Sequence, residues 1–140
     1  MRLLSLQRRP YKKNYHKYLI NWDKKEASKF QTDVKNFLYP YLKFHIVYSE
    51  FPIPRTMVNG RMRIDIFDAT TLIAYEIMGI QHGQYTPFFH GNPAHYLAQI
   101  KRDVKKAEFC EINNIKLIEI NPEDMPLSPK FFKEKFDIIL

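Results

Sequence analysis

Between Arg61 and Met78 the chain alternates apolar with other residues, breaks once at the polar bend Asp68–Thr71, and alternates again. That pattern is a β-hairpin. Residues 79–93 carry Gly79, Gly83, Pro87, Gly91 and Pro93 and read as an irregular loop. A helix from about Ala94 to Ile112 follows, Asn113-Asn114 closes it, and Lys116–Ile120 reads as a buried strand. Strands joined by a tight bend pair antiparallel. Strands joined through a helix pair in parallel, by a right-handed crossover. A chain that contains both connections in succession needs a mixed sheet with helices packed on it.

The remaining segments extend this plan. Asp23 and Glu26 have the spacing of a capping box, with Trp22 and Ala27 placed as a hydrophobic staple. Ala27, Phe30, Val34, Phe37 and Leu38 then recur at helical spacing, and Pro40 should end or bend that helix. Phe44–Phe51 is rich in β-formers and stops at Pro52 and Pro54; residues 52–61 form a loop with Asn59-Gly60 as its turn. Ser128-Pro129 offers an N-cap and a first-turn proline for a final helix. The order α-β-β-β-α-β-α predicts one α/β domain over 23–140, a mixed β-sheet flanked by helices, preceded by an arm over 1–22.

Charge divides the chain at the same place. The net charge is +7. Residues 1–25 hold Arg2, Arg8, Arg9, Lys12, Lys13, Lys17, Lys24 and Lys25 against Asp23 alone, so the rest of the chain is electrically balanced. Tyr11, Tyr15, Tyr18 and Trp22 are interleaved with these cations. Basic residues among aromatics suit a polyanion, above all nucleic acid; the other reading is a solvated arm that aids solubility. Arg8, Arg9, Lys12, Lys13 and Lys17 are the candidate contacts. The single Cys110 excludes an intrachain disulfide and a cysteine-based zinc cluster. No apolar stretch is long enough for a membrane span, and residues 1–6 do not read as a signal peptide. An intracellular protein without a membrane partner is expected.

The hairpin carries the chemistry. Period two puts Ile64, Ile66, Ile73, Tyr75 and Ile77 on one face as core, and Arg63, Asp65, Phe67, Ala74, Glu76 and Met78 on the other. A symmetric bend between Thr70 and Thr71 sets Asp65 opposite Glu76, at roughly 4.5–5.5 Å between Cβ atoms. Two facing carboxylates repel unless a shared proton, a basic side chain or a cation compensates. Hard oxygen ligands at this spacing suit Mg²⁺ or Mn²⁺, with water and a phosphate completing the shell. A solvated pair neutralised by Arg63 is the other reading.

An Asp at a strand end, a short hairpin and a Glu in the next strand resemble the core of the PD-(D/E)XK nuclease superfamily. Ala74-Tyr75-Glu76-Ile77-Met78-Gly79-Ile80-Gln81-His82 is similar to the E-x-x-G-x-Q-H variant found in very-short-patch-repair-like and phage-type endonucleases. Pro87-Phe88-Phe89-His90, Arg102-Asp103, Lys106 and Asn114-Ile115-Lys116-Leu117-Ile118 follow in the same order, so the resemblance covers about residues 26–121. It implies a restriction-endonuclease-like fold and a Mg²⁺- or Mn²⁺-dependent endonuclease. The enzyme would hydrolyse phosphodiester bonds in DNA (nicked, branched or duplex) in the cytoplasm of a bacterial or phage-infected cell. Whether it works as monomer or homodimer is left open.

The usual lysine two residues after the Glu is here Met78, which can neither stabilise a hydroxide nor a phosphorane-like charge. Lys106, on the next helix, is the favoured replacement cation, placed beside a stripe of Leu97, Ile100, Val104 and Ala107. His82 is the candidate proton relay, with Gln81 beside it. A third carboxylate is expected, Glu50 at a strand end in preference to Glu26 on the first helix. Arg102 is a candidate phosphate contact, His90 a further site candidate, His45 a packed strand residue and Cys110 a small core residue. Met78 also leaves room for an alternative: a catalytically silent nucleic-acid-binding or virion-associated module that keeps the fold.

Overall fold

The computed structural model describes residues 3–11, 13–54, 62–78 and 93–140, with the side chains of Tyr11 and of residues 93–102 left out of that description. The elements are β1 (Leu3–Leu4), β2 (Pro10–Tyr11), α1 (Lys29–Leu42), β3 (Val47–Pro52), β4 (Arg63–Asp68), β5 (Ile73–Ile77), α2 (Pro93–Ile112), β6 (Lys116–Ile120) and α3 (Pro129–Phe136). The four-stranded sheet runs β3-β4-β5-β6; the first two pairings are antiparallel and β5–β6 is parallel. The α-β-β-β-α-β-α order read from the sequence is present, and the crossover through α2 produces the parallel pair.

Both faces of the sheet are core. Ile66, Tyr75, Ile118 and Ile120 pack with Val34, Leu38 and Leu42 of α1 and Phe132 of α3. Phe67 and Ala74 pack on the opposite side with Phe109 and Cys110 of α2. The hairpin register is the symmetric one, Ile66 facing Tyr75 and Phe67 facing Ala74. One detail departs from simple alternation. Ile64 joins Phe67 and Ala74 instead of Ile66, and Phe51 joins the same side. The face switches because Glu50 takes a left-handed conformation (φ 52°) and the β3–β4 ladder skips the Glu50–Asp65 step. A local kink of this kind reverses every side chain beyond it.

Helix α1 starts later than the Asp23–Glu26 spacing predicts. Ser28 is its N-cap, accepting from the Gln31 N–H at 3.1 Å. Glu26 is instead drawn to Lys35, and Trp22 packs edge-on to Tyr39 at 5.5 Å. Pro40 lies inside the helix, which runs on to bury Leu42. Ser128 caps α3 as expected, accepting from Phe131 N–H.

Residues 3–22 are not a free arm. Leu3 and Tyr15 are buried with Phe51 and Phe67, and Asn113 at the end of α2 holds Leu4 through both its N–H (2.7 Å) and its carbonyl (2.9 Å). Leu19 then bridges Tyr48, and Ile20 N–H donates to the Val47 carbonyl. The segment is a strap that crosses the β3 edge from the α2 face to the α1 face. Hydrophobic burial at Leu3 and Tyr15, unmarked by periodicity, is what ties it down.

Candidate functional site

The β4–β5 ladder ends at Ile66 and Tyr75. One step further the same register would set Asp65 against Glu76. Here the strands part and side chains take over. The Ile77 N–H, which would otherwise continue the ladder, donates to Asp65 Oδ2 at 2.9 Å. The Asp65 backbone N–H in turn lies against the Glu76 carboxyl and favours its charged form. The two acids therefore bridge the same gap from opposite strands.

They do not project side by side from one face, as alternation alone predicts. The kink turns Asp65 toward a small cavity shared with Ile66, Ile77, Glu50, Glu26 and Lys35. Glu76 faces α2, where Lys106 Nζ lies 3.2 Å from its Oε1. The charges still feel each other. Burial and then the Asp65 charge push the Glu76 pKa up to about 8, against the opposing pull of Lys106. The Lys106 contact is an ion pair and not an aligned hydrogen bond, so Oε1 remains a buried acceptor with no donor in line. Breaking such a pair by removing one partner is costly, because a desolvated charge stays behind.

Lys106 reaches Glu76 by a different geometry from the one its spacing suggests. Val104 and Ala107 are exposed, and among the described side chains of α2 and its end the inward ones are Lys106, Phe109, Cys110 and Asn113; Leu97 and Ile100 lie outside that description. The lysine is in the inward stripe, not beside it. Cys110, one turn on, is a core thiol as expected; burial and the neighbouring Glu76 charge push it up to about 12, so it offers no nucleophile. Met78 is buried and its N–H donates to Ile120 carbonyl at 2.9 Å. At 5% exposure, a lysine ammonium in its place would be desolvated.

The other candidates separate. Glu50 is exposed, 3.7 Å from Arg63 Nη1, and lines the same cavity as Asp65. Glu26 lines it too, but its Oε1 is held by Lys35 Nζ at 3.0 Å, so its expected helix-capping role is replaced by an ion pair. Lys35 is 2% exposed and donates also to the Lys24 carbonyl at 2.7 Å. Sequence reasoning does not single out this lysine; its position one residue after Val34, within the apolar stripe of α1, is the available signal. Arg8, Arg9, Lys13 and Lys17 are exposed on the strap. Lys12, Gln81, His82 and His90, and the side chain of Arg102, lie outside the described residues. At the far end of the sheet His45 is not simply packed: its Nδ1 lies 2.8 Å from Asp68 Oδ2, and the fully buried Asp68 also accepts from Thr70 N–H and Thr71 Oγ1.

Among the described residues no three His, Cys, Asp or Glu side chains gather closely enough to hold a metal by themselves. A Mg²⁺-type cation does not require that, since it keeps several waters and takes one or two carboxylates plus substrate oxygen. Asp65 and Glu76 are hard ligands, and Glu76 is already matched by the Lys106 ammonium at 3.2 Å. Their ligand type suits a hard divalent cation, but as placed they face different sides of the sheet and do not converge on one point.

Comparison with known proteins gives two relatives of unassigned role. The chain is 34% identical over 62 residues to "Uncharacterized protein 307L" of Invertebrate iridescent virus 6, covering 44% of this chain and 32% of that protein. It is 31% identical over 84 residues to "Uncharacterized protein 033L" of Invertebrate iridescent virus 3, covering 60% and 41%. The chain thus spans about two fifths or less of the length of the curated relatives it matches. No known family's sequence profile matches the chain, and no solved structure does.

Proposed function

We propose that the protein is a metal-dependent phosphodiesterase of the restriction-endonuclease-like type that cleaves DNA. The observation that carries this reading is the Asp65–Glu76–Lys106 group at the parted end of the β4–β5 hairpin: two hard ligands and a cation beside them. The two carboxylates suit Mg²⁺ or Mn²⁺, which when bound supplies charge stabilisation and an acidified water; because they face different sides of the sheet, holding one ion between them requires the parted strand end to turn both toward a common point. Lys106 would hold Glu76 in place and present positive charge to a phosphate, the task that Met78 cannot perform. Glu50 and Glu26, on the neighbouring cavity, are the candidate third carboxylates. The exposed cations Arg8, Arg9, Lys13 and Lys17 would give sequence-independent, salt-sensitive affinity.

The test is cleavage of plasmid, nicked, branched and single-stranded DNA with Mg²⁺, with Mn²⁺ and with chelator. Metal-dependent cleavage that Asp65→Asn and Glu76→Gln each reduce by about 10³-fold or more is the expected outcome. Lys106→Met should reduce turnover by about 10²–10³-fold, as removal of a preorganised electrostatic group does. The buried Met78 favours the second reading, a silent binding module. DNA binding with no cleavage under any of these metals would establish that reading and reject the first.

A further inference from the structure

We infer that the strap along the outer edge of β3, together with residues 43–46 that lead into that strand, is a stacking surface for single-stranded nucleic acid. This goes beyond the cleavage reading and does not rest on it. Large apolar side chains are exposed along this stretch: Phe44 at 89%, Ile46 at 56% and Leu19 at 43%, with Tyr39 at 44% on the neighbouring α1. The strap brings Leu19 and Ile20 alongside Tyr48 and Val47, so Leu19, Ile46 and Phe44 follow one another along this edge. Trp22 joins them through its contact with Tyr39. Tyr18 lies one residue before Leu19 on the same edge.

The charges identify the occupant. Lys43 Nζ lies 5.2 Å from the Phe44 ring centre, and Lys13 and Lys17 lie 5.6 and 5.2 Å from that of Tyr18. Lys24 and Lys25 are exposed just beyond Trp22, and Asp23 is the acidic residue of this stretch. An apolar patch meant for a protein partner would exclude charge from its centre. Here ammonium groups sit on the rings themselves. Exposed aromatic faces paired with lysines match a strand whose bases stack while its phosphates meet cations. A duplex keeps its base faces covered, so it would engage the lysines but not the rings.

Trp22, the chain's only tryptophan, reports on the surface directly. The full chain carrying Asp65→Asn, to prevent cleavage, is titrated with oligo(dT), oligo(U) and a blunt hairpin duplex, following Trp22 emission and fluorescein anisotropy. The single strands should bind tighter than the duplex and change Trp22 emission. Phe44→Ala, at a position too exposed to affect folding, should weaken oligo(dT) binding by about tenfold. Lys43→Glu should weaken it and flatten its salt dependence. Unchanged oligo(dT) affinity in Phe44→Ala, or equal affinity for the duplex, overturns the inference. So does a protein dimer, seen by sedimentation without oligonucleotide, that Phe44→Ala dissociates, since the patch would then be covered by a second copy. Cleavage abolished in Asp65→Asn with stacking retained separates this surface from the site.

Discussion

Glu76 is held out of water beside a like charge, and its pKa of about 8 makes the protein's stability depend on pH in a definite direction. The unfolded chain releases this proton near the ordinary value of 4.5. Between the two values the folded state holds a proton that the unfolded state has released, so this group's contribution to stability is complete below about pH 4.5 and falls as pH rises through about 8. Thermal melts should therefore show Tm declining from about pH 5 to about pH 8.5. Glu76→Gln, which cannot ionise, should flatten that decline. Lys106→Met should extend it to higher pH, because loss of the ammonium pushes the Glu76 pKa up further. A divalent cation binds the ionised acid, so Mn²⁺ stabilisation measured by Tm should grow with pH over the same range. A wild-type Tm that rises monotonically over that range would contradict this environment for Glu76. The register that brings Asp65 and Glu76 to the same end of the hairpin was legible in the sequence because the bend is symmetric, although the ladder stops one step short of pairing them. Their divergence to different sides was not, since nothing in the residue types around Glu50 announces a left-handed conformation there.

At the level of elements, that kink decides what the hairpin can present. A non-glycine residue in the left-handed region costs roughly 1 kcal/mol. Glu50→Gly removes that cost while adding unfolded-state entropy. The variant should be within about 1 kcal/mol of wild type in chemical denaturation. If Glu50 supports the site, cleavage should nevertheless fall, which separates a functional carboxylate from a strand-end charge. The start of α1 makes a second test. Ser28→Ala should destabilise by about 1 kcal/mol through loss of the cap, whereas Asp23→Ala should change stability by less than about 0.5 kcal/mol. The residue pattern is ambiguous here because two capping signals compete, Asp23 with Glu26 and Ser28 with Gln31. Tertiary contact chooses between them: Lys35 is buried and needs an acid, and Glu26 supplies it. Strand order and the parallel crossover were legible, because periodicity and connection length determine them. The roll of α2 was not. Val104 and Ala107 look like core residues, yet the face that meets the sheet carries Lys106 and Asn113, whose partners are distant in sequence.

On the scale of the whole molecule, charge and fold are superposed in residues 1–22, and they have to be separated experimentally. The composition makes this segment a cationic handle, while the structure makes it a strap whose Leu3 and Tyr15 complete the core. Removing residues 1–20 would therefore not be a clean test of nucleic-acid affinity. It exposes Phe51 and Phe67, strips Asn113 of its partner Leu4 and uncovers the β3 edge. Tyr15→Ala alone should cost about 3 kcal/mol, by analogy with other buried aromatic truncations. The discriminating change is at the exposed tip between β1 and β2. Arg8 is left-handed (φ 60°) and both Arg8 and Arg9 are exposed. Arg8→Asn tolerates that backbone, and Arg9→Ala removes the second charge without touching the core. The double variant should melt within about 2 °C of wild type. Each phosphate-neutralising charge removed should lower the slope of log affinity against log salt by about 0.9 on duplex DNA. A slope reduced by about one to two units with Tm preserved would assign these arginines to phosphate binding. An unchanged slope would remove Arg8 and Arg9 from the phosphate contacts and leave Lys13 and Lys17 as the strap's remaining candidates.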